Sequence, residues 1–274
     1  MIDCLRSLLR PVVCLPAAAS VLALALTAGA VAQTAPASST PATPVASAPA
    51  AATVPASSMA SRVLACTACH GKEGRATPDG YFPRIAGKPA GYLANQLVNF
   101  RDGRRSYPQM TDLIEHLTDD YLREMAEHFA ALDLPYPPPP PPQASPAALE
   151  QGRKLVQVGD AARKIPACVA CHGAAMTGVS PSIPGLLGLP RDYLNSQLGA
   201  WKTGQRRAHQ PDCMADIARQ LTSDDVSAVS AWLAAQPVAV GGKPARKLPA
   251  AMPARCGGVA DVPVAAAAAA AALR

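Results

Sequence analysis

Two pentapeptides, Cys66-Thr67-Ala68-Cys69-His70 and Cys168-Val169-Ala170-Cys171-His172, hold the residue types in this chain best suited to chemistry. Two thiols three positions apart can each form a thioether with a vinyl group of one porphyrin, and the histidine that follows is placed to ligate its iron. Found twice, the pattern predicts two covalently bound haem c groups, held by Cys66, Cys69, Cys168 and Cys171, with His70 and His172 as axial ligands. Zinc knuckles and thioredoxin-like dithiols also use CxxC. The first needs a second ligand pair per site and the second a βαβ pattern, and neither accompanies these motifs.

The surroundings repeat as well. Gly87-Lys88-Pro89-Ala90-Gly91-Tyr92-Leu93-Ala94-Asn95-Gln96-Leu97 returns as Gly188-Leu189-Pro190-Arg191-Asp192-Tyr193-Leu194-Asn195-Ser196-Gln197-Leu198, 101 residues later, against 102 between the CxxCH motifs. Phe100 then matches Trp201, Gly103 matches Gly204 and Arg105 matches Arg206. A period near a hundred residues is a domain length, far too long for a solenoid, so the chain reads as a tandem duplication of one haem-binding unit. The same register supplies the sixth iron ligands. Met110 and Met214 stand seven residues before Leu117 and Leu221, and 40 and 42 residues beyond their histidines. Each is expected in an irregular stretch where a loop folds over the far side of the haem. Met59, Met125, Met176 and Met252 have no such counterpart and are assigned packing or surface roles.

On these residues the chain resembles the dihaem cytochrome c4 family over about residues 56–236. The resemblance is carried in the first half by Cys66, Cys69 and His70 with Phe82-Pro83-Arg84-Ile85-Ala86-Gly87, Tyr92-Leu93, Gln96-Leu97 and Met110. In the second half it is carried by Cys168, Cys171 and His172 with Ile183-Pro184-Gly185-Leu186, Tyr193-Leu194, Gln197-Leu198 and Met214. It implies an all-α protein of two tandem class I cytochrome c domains, each wrapping one covalently bound haem. It further implies that the carbonyls of Pro83 and Pro184 accept the Nδ1 protons of His70 and His172, which orients the rings and raises their basicity. The family shuttles electrons in the periplasm, commonly toward a terminal oxidase. The partners so implied are redox proteins, with a quinol-oxidising complex or a dehydrogenase as donor and a terminal oxidase as acceptor. An electron carrier without catalytic residues is the leading expectation, and a haem-bearing subunit of a periplasmic dehydrogenase is the alternative. A dihaem peroxidase is less favoured, because it needs an open iron beside an acid/base group and neither repeat offers one in register.

The elements that must position these groups follow from local signals. Thr118 and Thr222 are N-caps with acidic residues just inside the helices they start. Leu122, Met125 and Phe129, and likewise Val226, Val229 and Leu233, then recur at helical spacing to give one apolar face. First helices are expected at 57–65 and 147–158, with Gly152 permitting close approach of the last helix. Arg6 and Arg10 precede an apolar run that ends at Val21-Leu22-Ala23-Leu24-Ala25-Leu26 and is followed by the A-x-A signal Ala30-Val31-Ala32, an export signal over 1–32 cleaved near Ala32/Gln33, which predicts a periplasmic location. Membrane contact is then expected only through partners or an uncleaved signal. Residues 33–56 read as an Ala/Pro/Ser/Thr-rich tether, 57–134 as the first domain and 135–146, with Pro137 to Pro142, as an extended linker. The second domain covers 147–237, and 238–274 is expected to be a loose tail.

The formal net charge of +6 falls to +5 once Asp3, Arg6 and Arg10 leave with the signal, and four haem propionates would offset most of it. Arg101, Arg104, Arg105, Lys202, Arg206 and Arg207 cluster near helix ends, where they either face water, pair with propionates or steer acidic partners. No interleaved aromatics or binding motif point to nucleic acid. Cys213 and Cys256 remain outside the haem motifs, and an oxidising compartment permits a disulfide between them. His209 is the one histidine outside the motifs near enough to Met214 to rival it as a ligand.

Overall fold

The computed structural model describes residues 58–239 and 241–259. The expected export signal and tether lie outside the described residues. In the first half, Ser58 caps α1 (Met59–Arg62) through its hydroxyl, which accepts from the Ser61 N–H. The chain bends at buried Val63 and continues as α2 (Leu64–His70), so the first CxxCH sits on a helix. Next come α3 (Ala90–Arg101), α4 (Pro108–Ile114) and α5 (Asp119–Ala131). The second half repeats the order with α6 (Pro146–Gln157), α7 (Val169–His172), α8 (Arg191–Thr203), α9 (Cys213–Gln220) and α10 (Ser223–Ala234). A short antiparallel ribbon, β1 (Gly178–Val179) with β2 (Ile183–Pro184), is the departure from an all-helical chain among the described residues.

The caps act as their residue types dictate. The Thr118 hydroxyl accepts from the Tyr121 N–H, and Thr222 and Asp225 form a reciprocal capping box. Buried Asp225 also accepts from Arg163 Nη1 at 2.5 Å and Gln151 Nε2 at 2.7 Å, fastening α6 and the turn before α7 to α10. Burial pushes the Asp225 carboxyl up, but these donors outweigh it and hold the group at about 2.

The apolar faces close where their spacing predicts. Leu122, Met125 and Phe129 of α5 pack with Val63, Leu93 and Phe100, while Val226, Val229 and Leu233 of α10 pack with Leu155, Val156 and Leu194. Gly152 makes the second closure possible, because a Cβ there would stand 2.2 Å from the Ala228 carbonyl oxygen of α10. Met110 and Met214 depart from expectation. Neither lies in an irregular stretch: Met110 is in the first turn of α4 and Met214 in the first turn of α9. Pro108 at the start of α4 has its φ preset for a helix, and the Asp212 carboxylate caps α9 by accepting from the Ala215 N–H, so both segments coil before the methionine.

Two connecting regions are more tightly held than composition suggests. Arg84 donates to the carbonyls of Leu134 and Pro135 and lies 3.9 Å over the Tyr136 ring, which rests against Gly188 of the other half. Arg191 donates to the Gln143 carbonyl, so the proline stretch is fastened near both ends. The tail, expected to be loose, is tied down over residues 241–259. Ala245 pairs with Val179, Leu248 is buried against Val179 and Ile183, and Cys256 is disulfide-bonded to Cys213. The ribbon presents apolar side chains that α-helices do not cover, and the tail covers them.

Two outcomes follow. Gly152→Ala should force α6 and α10 apart and destabilise the second half by about 1–3 kcal/mol in urea unfolding, with the first half unaffected. Intact-mass measurement should find two more alkyl labels per chain after reduction than before, from Cys213 and Cys256, and equal labelling would exclude the bridge.

Candidate functional site

A single cavity of about 930 Å³ runs through both halves of the described structure. Cys66, Cys69, His70 and Met110 line it from one side, and Cys168, Cys171, His172 and Met214 from the other. Both histidines are buried, and each Nδ1 lies 2.8 Å from a proline carbonyl oxygen, Pro83 for His70 and Pro184 for His172. A carbonyl can only accept, so Nδ1 carries the proton in each ring and Nε2 keeps the lone pair that a metal needs. Burial lowers both imidazoles below their usual range, which keeps them neutral and competent to ligate. The same desolvation raises the Cys66 and Cys171 thiols and takes Cys168 up to about 12. Thiols raised in this way stay protonated and are poorly suited to disulfide exchange.

The halves meet through residues that the duplication matches. Arg105 and Arg206 form an antiparallel bridge, flanked by Ser106 N–H to the Gln205 carbonyl at 2.9 Å and Arg207 N–H to the Arg104 carbonyl at 2.7 Å. Their side chains cross over. Arg105 donates to Gln96 within its own half and to Gln197 and the Tyr193 hydroxyl of the other. Arg206 donates to Gln197 within its own half and to Gln96 and the Tyr92 hydroxyl of the other. Such reciprocity is the signature of a self-complementary interface, here made by two halves of one chain.

Neither arginine has a carboxylate partner among the described residues, although Arg206 is only 6% exposed. Both line the cavity, each with its guanidinium over an aromatic ring, Phe100 at 4.4 Å and Trp201 at 3.9 Å. Trp201 also lines the cavity, and its indole N–H is buried with no acceptor among the described residues. An apolar cavity with paired thiols and neutral imidazoles, plus buried cations and an orphaned donor, suits haem, which brings apolar mass and anionic propionates together.

The structure divides the basic cluster read from sequence. Arg101 and Lys202 donate to the carbonyls of Leu117 and Leu221, holding the ends of the methionine-bearing segments. Arg105 and Arg206 build the interface, and Arg207, though exposed, adds bonds across it to the carbonyls of Arg104 and Gly103. His209 is exposed and does not line the cavity, which removes it as a rival ligand. Sequence reasoning missed the crossing of Arg105 and Arg206 and the burial of Lys88. The available signal was the repeat of Tyr, Gln and Arg at Tyr92/Tyr193, Gln96/Gln197 and Arg105/Arg206, polar residues matched as faithfully as the apolar ones.

No protein-family model matches the chain. Sequence relatives do. The chain is 40% identical over 171 residues to the thiosulfate dehydrogenase electron acceptor of Stutzerimonas stutzeri (strain A1501), covering 62% of this chain and 78% of that one. It is 31% identical over 180 residues to cytochrome c4 of Pseudomonas aeruginosa, covering 65% and 87% respectively. Of solved structures, reduced recombinant cytochrome c4 from Pseudomonas stutzeri aligns with a TM-score of 0.54 and 29% identity, over 64% of this chain and 95% of that chain. Thiosulfate dehydrogenase from Marichromatium purpuratum aligns with a TM-score of 0.57 and 34% identity over 63% of this chain, which spans 36% of that longer one.

Replacing Arg206 with Met should strand Tyr92, Gln96 and Gln197 at the interface and lower stability by about 1–3 kcal/mol in denaturant titration. Arg206→Lys should recover only part of the loss, since an ammonium lacks the planar fork that spans both glutamines.

Proposed function

The chain belongs to the dihaem cytochrome c4 family, and from that premise we propose that it is a periplasmic carrier taking single electrons from a dehydrogenase of the thiosulfate-oxidising kind. Two covalently bound haem c groups supply the one-electron iron chemistry. In this reading Cys66, Cys69, Cys168 and Cys171 would form the thioethers, His70 and Met110 would ligate the iron of the first site, and His172 and Met214 that of the second. Pro83 and Pro184 hold the imidazoles through the hydrogen bonds described above. Arg105 and Arg206 bind propionates, keeping the anionic edges at the seam between the halves.

One observation carries this reading. The full set of paired thiols, a proline-anchored buried histidine and a helix-borne methionine occurs twice around one continuous cavity. Six-coordinate His/Met sites suit electron exchange without substrate bound to iron, and methionine favours the reduced state. The choice of donor is supported by the names of the Stutzerimonas relative and of a second thiosulfate dehydrogenase electron acceptor, from Thiomonas intermedia (strain K12), 36% identical over 177 residues. A terminal oxidase is the proposed onward acceptor. The export signal supports the compartment, because CxxCH haem attachment follows export in bacteria.

Three measurements test the proposal. A pyridine haemochrome assay should count two haems per chain. The ferric protein should show the weak long-wavelength sulfur-to-iron band, reduced to about half by Met110→Ala or Met214→Ala alone and abolished only by both. Purified thiosulfate dehydrogenase with thiosulfate should reduce the protein rapidly. Failure of that reduction with normal haems would remove the named donor and leave the carrier reading intact, and a high-spin ferric site would remove the carrier reading for that domain.

A further inference from the structure

Matched residues build the centre of the seam between the halves, and Lys88 departs from that pattern. Lys88 belongs to the first half, and the repeat places Leu189 at its equivalent position. Lys88 is only 4% exposed, and its ammonium crosses the seam to donate to the Gly185 carbonyl at 3.1 Å. Gly185 directly follows Pro184, whose carbonyl accepts the His172 Nδ1 proton. Packing against the ribbon requires a glycine there, because a Cβ would stand 2.5 Å from the Thr177 backbone. The equivalent position in the first half is Arg84, whose guanidinium turns to the carbonyls of Leu134 and Pro135 and to the Tyr136 ring. Leu189, for its part, is apolar and packs in the second core. Lys88 therefore has no counterpart acting in the reverse direction.

Lys88 lines the haem cavity and makes no ion pair among the described residues. Burial, with Arg84 adding repulsion, lowers its ammonium to about 7. A buried cation beside one of two similar redox sites destabilises the more positive, ferric state of that site.

We propose that Lys88 is a positioning residue for charge, which biases the electron shared by the two haems toward the second. An electron passing from the first site to the second oxidises one iron and reduces the other, with no bond made or broken and no proton required. The seam that holds the halves together thus also sets a direction along the chain. The inference rests on the dihaem His/Met reading above.

The test is the reduction potential of each haem, resolved by haem methyl resonances during a redox titration at pH 6, where the ammonium is charged. Lys88→Leu copies the residue of the other repeat, and Lys88→Met keeps the length of the side chain. Both should shift the interhaem electron distribution on the order of tenfold toward the first haem. That shift should come from a lower potential at the second haem, with the first nearly unchanged. Lys88→Arg, which keeps the cation, should restore most of the difference. Equal shifts at both haems, as general loosening of the seam would cause, overturn the proposal, and so does an unchanged second haem. The sulfur-to-iron band and the haem count in the same samples separate this failure from failure of the dihaem reading, which would show as a missing haem or a high-spin site in the parent protein.

Discussion

The core of each half of this protein is built around the haem cavity. Aromatic residues make up only 4% of the chain, and the apolar faces of α3, α5, α8 and α10 converge on a cavity of about 930 Å³. An apolar interior of that size suits a large apolar group, whose burial adds the packing energy that a small domain needs. Covalent haem meets that need, and the demand explains the placement of nearly every other element. The CxxCH helices lie against the cavity, the histidines are buried deeply enough to stay neutral, and the methionines sit on short helices facing it. The stability of the fold and the chemistry of the site are one constraint.

What the sequence made legible was local or periodic. The thiols, the histidines, the matched methionines and the threonine caps could be read because each depends on spacing of a few residues or on a repeat that doubles the signal. Met110 and Met214 were legible as a pair, but their helices were not. Pro108 and Asp212 are ordinary loop residues until the structure makes them a first turn and a cap. The tail was misread for a different reason. Prolines, glycines and lysines in 241–259 give no apolar period, and the features that hold it, Leu248 beneath the ribbon and Cys256 on Cys213, are single long-range contacts. Polar pairing across the seam was hidden likewise, since nothing local shows that Arg105 reaches Gln197.

A duplicated unit solves a problem that a single haem domain does not face. Two sites in one chain exchange electrons usefully only if their separation is held, and a flexible connector alone would let them drift. The seam holds them through backbone pairing and crossed guanidiniums, and the proline stretch is fastened near its two ends by Arg84, Tyr136 and Arg191. Here the interface and the fastened linker both join the halves.

Symmetry of that kind has a cost for function, because two identical sites would share an electron evenly and give no preferred exit. The departures from the repeat are therefore more informative than the matches. Trp201 stands where the first half has Phe100, and it adds an indole donor to the second site alone. The disulfide ties the tail to the start of the Met214 helix, with no equivalent beside Met110 among the described residues. Lys88 stands opposite Leu189 and spends its charge on the neighbouring half. All three differences alter polarity or enclosure in the second half and leave the matched cysteines, histidines and methionines untouched. Divergence that spares the ligands and changes their surroundings is how two copies of one site come to hold an electron with different affinity, and that difference turns a pair of haems into a directed path.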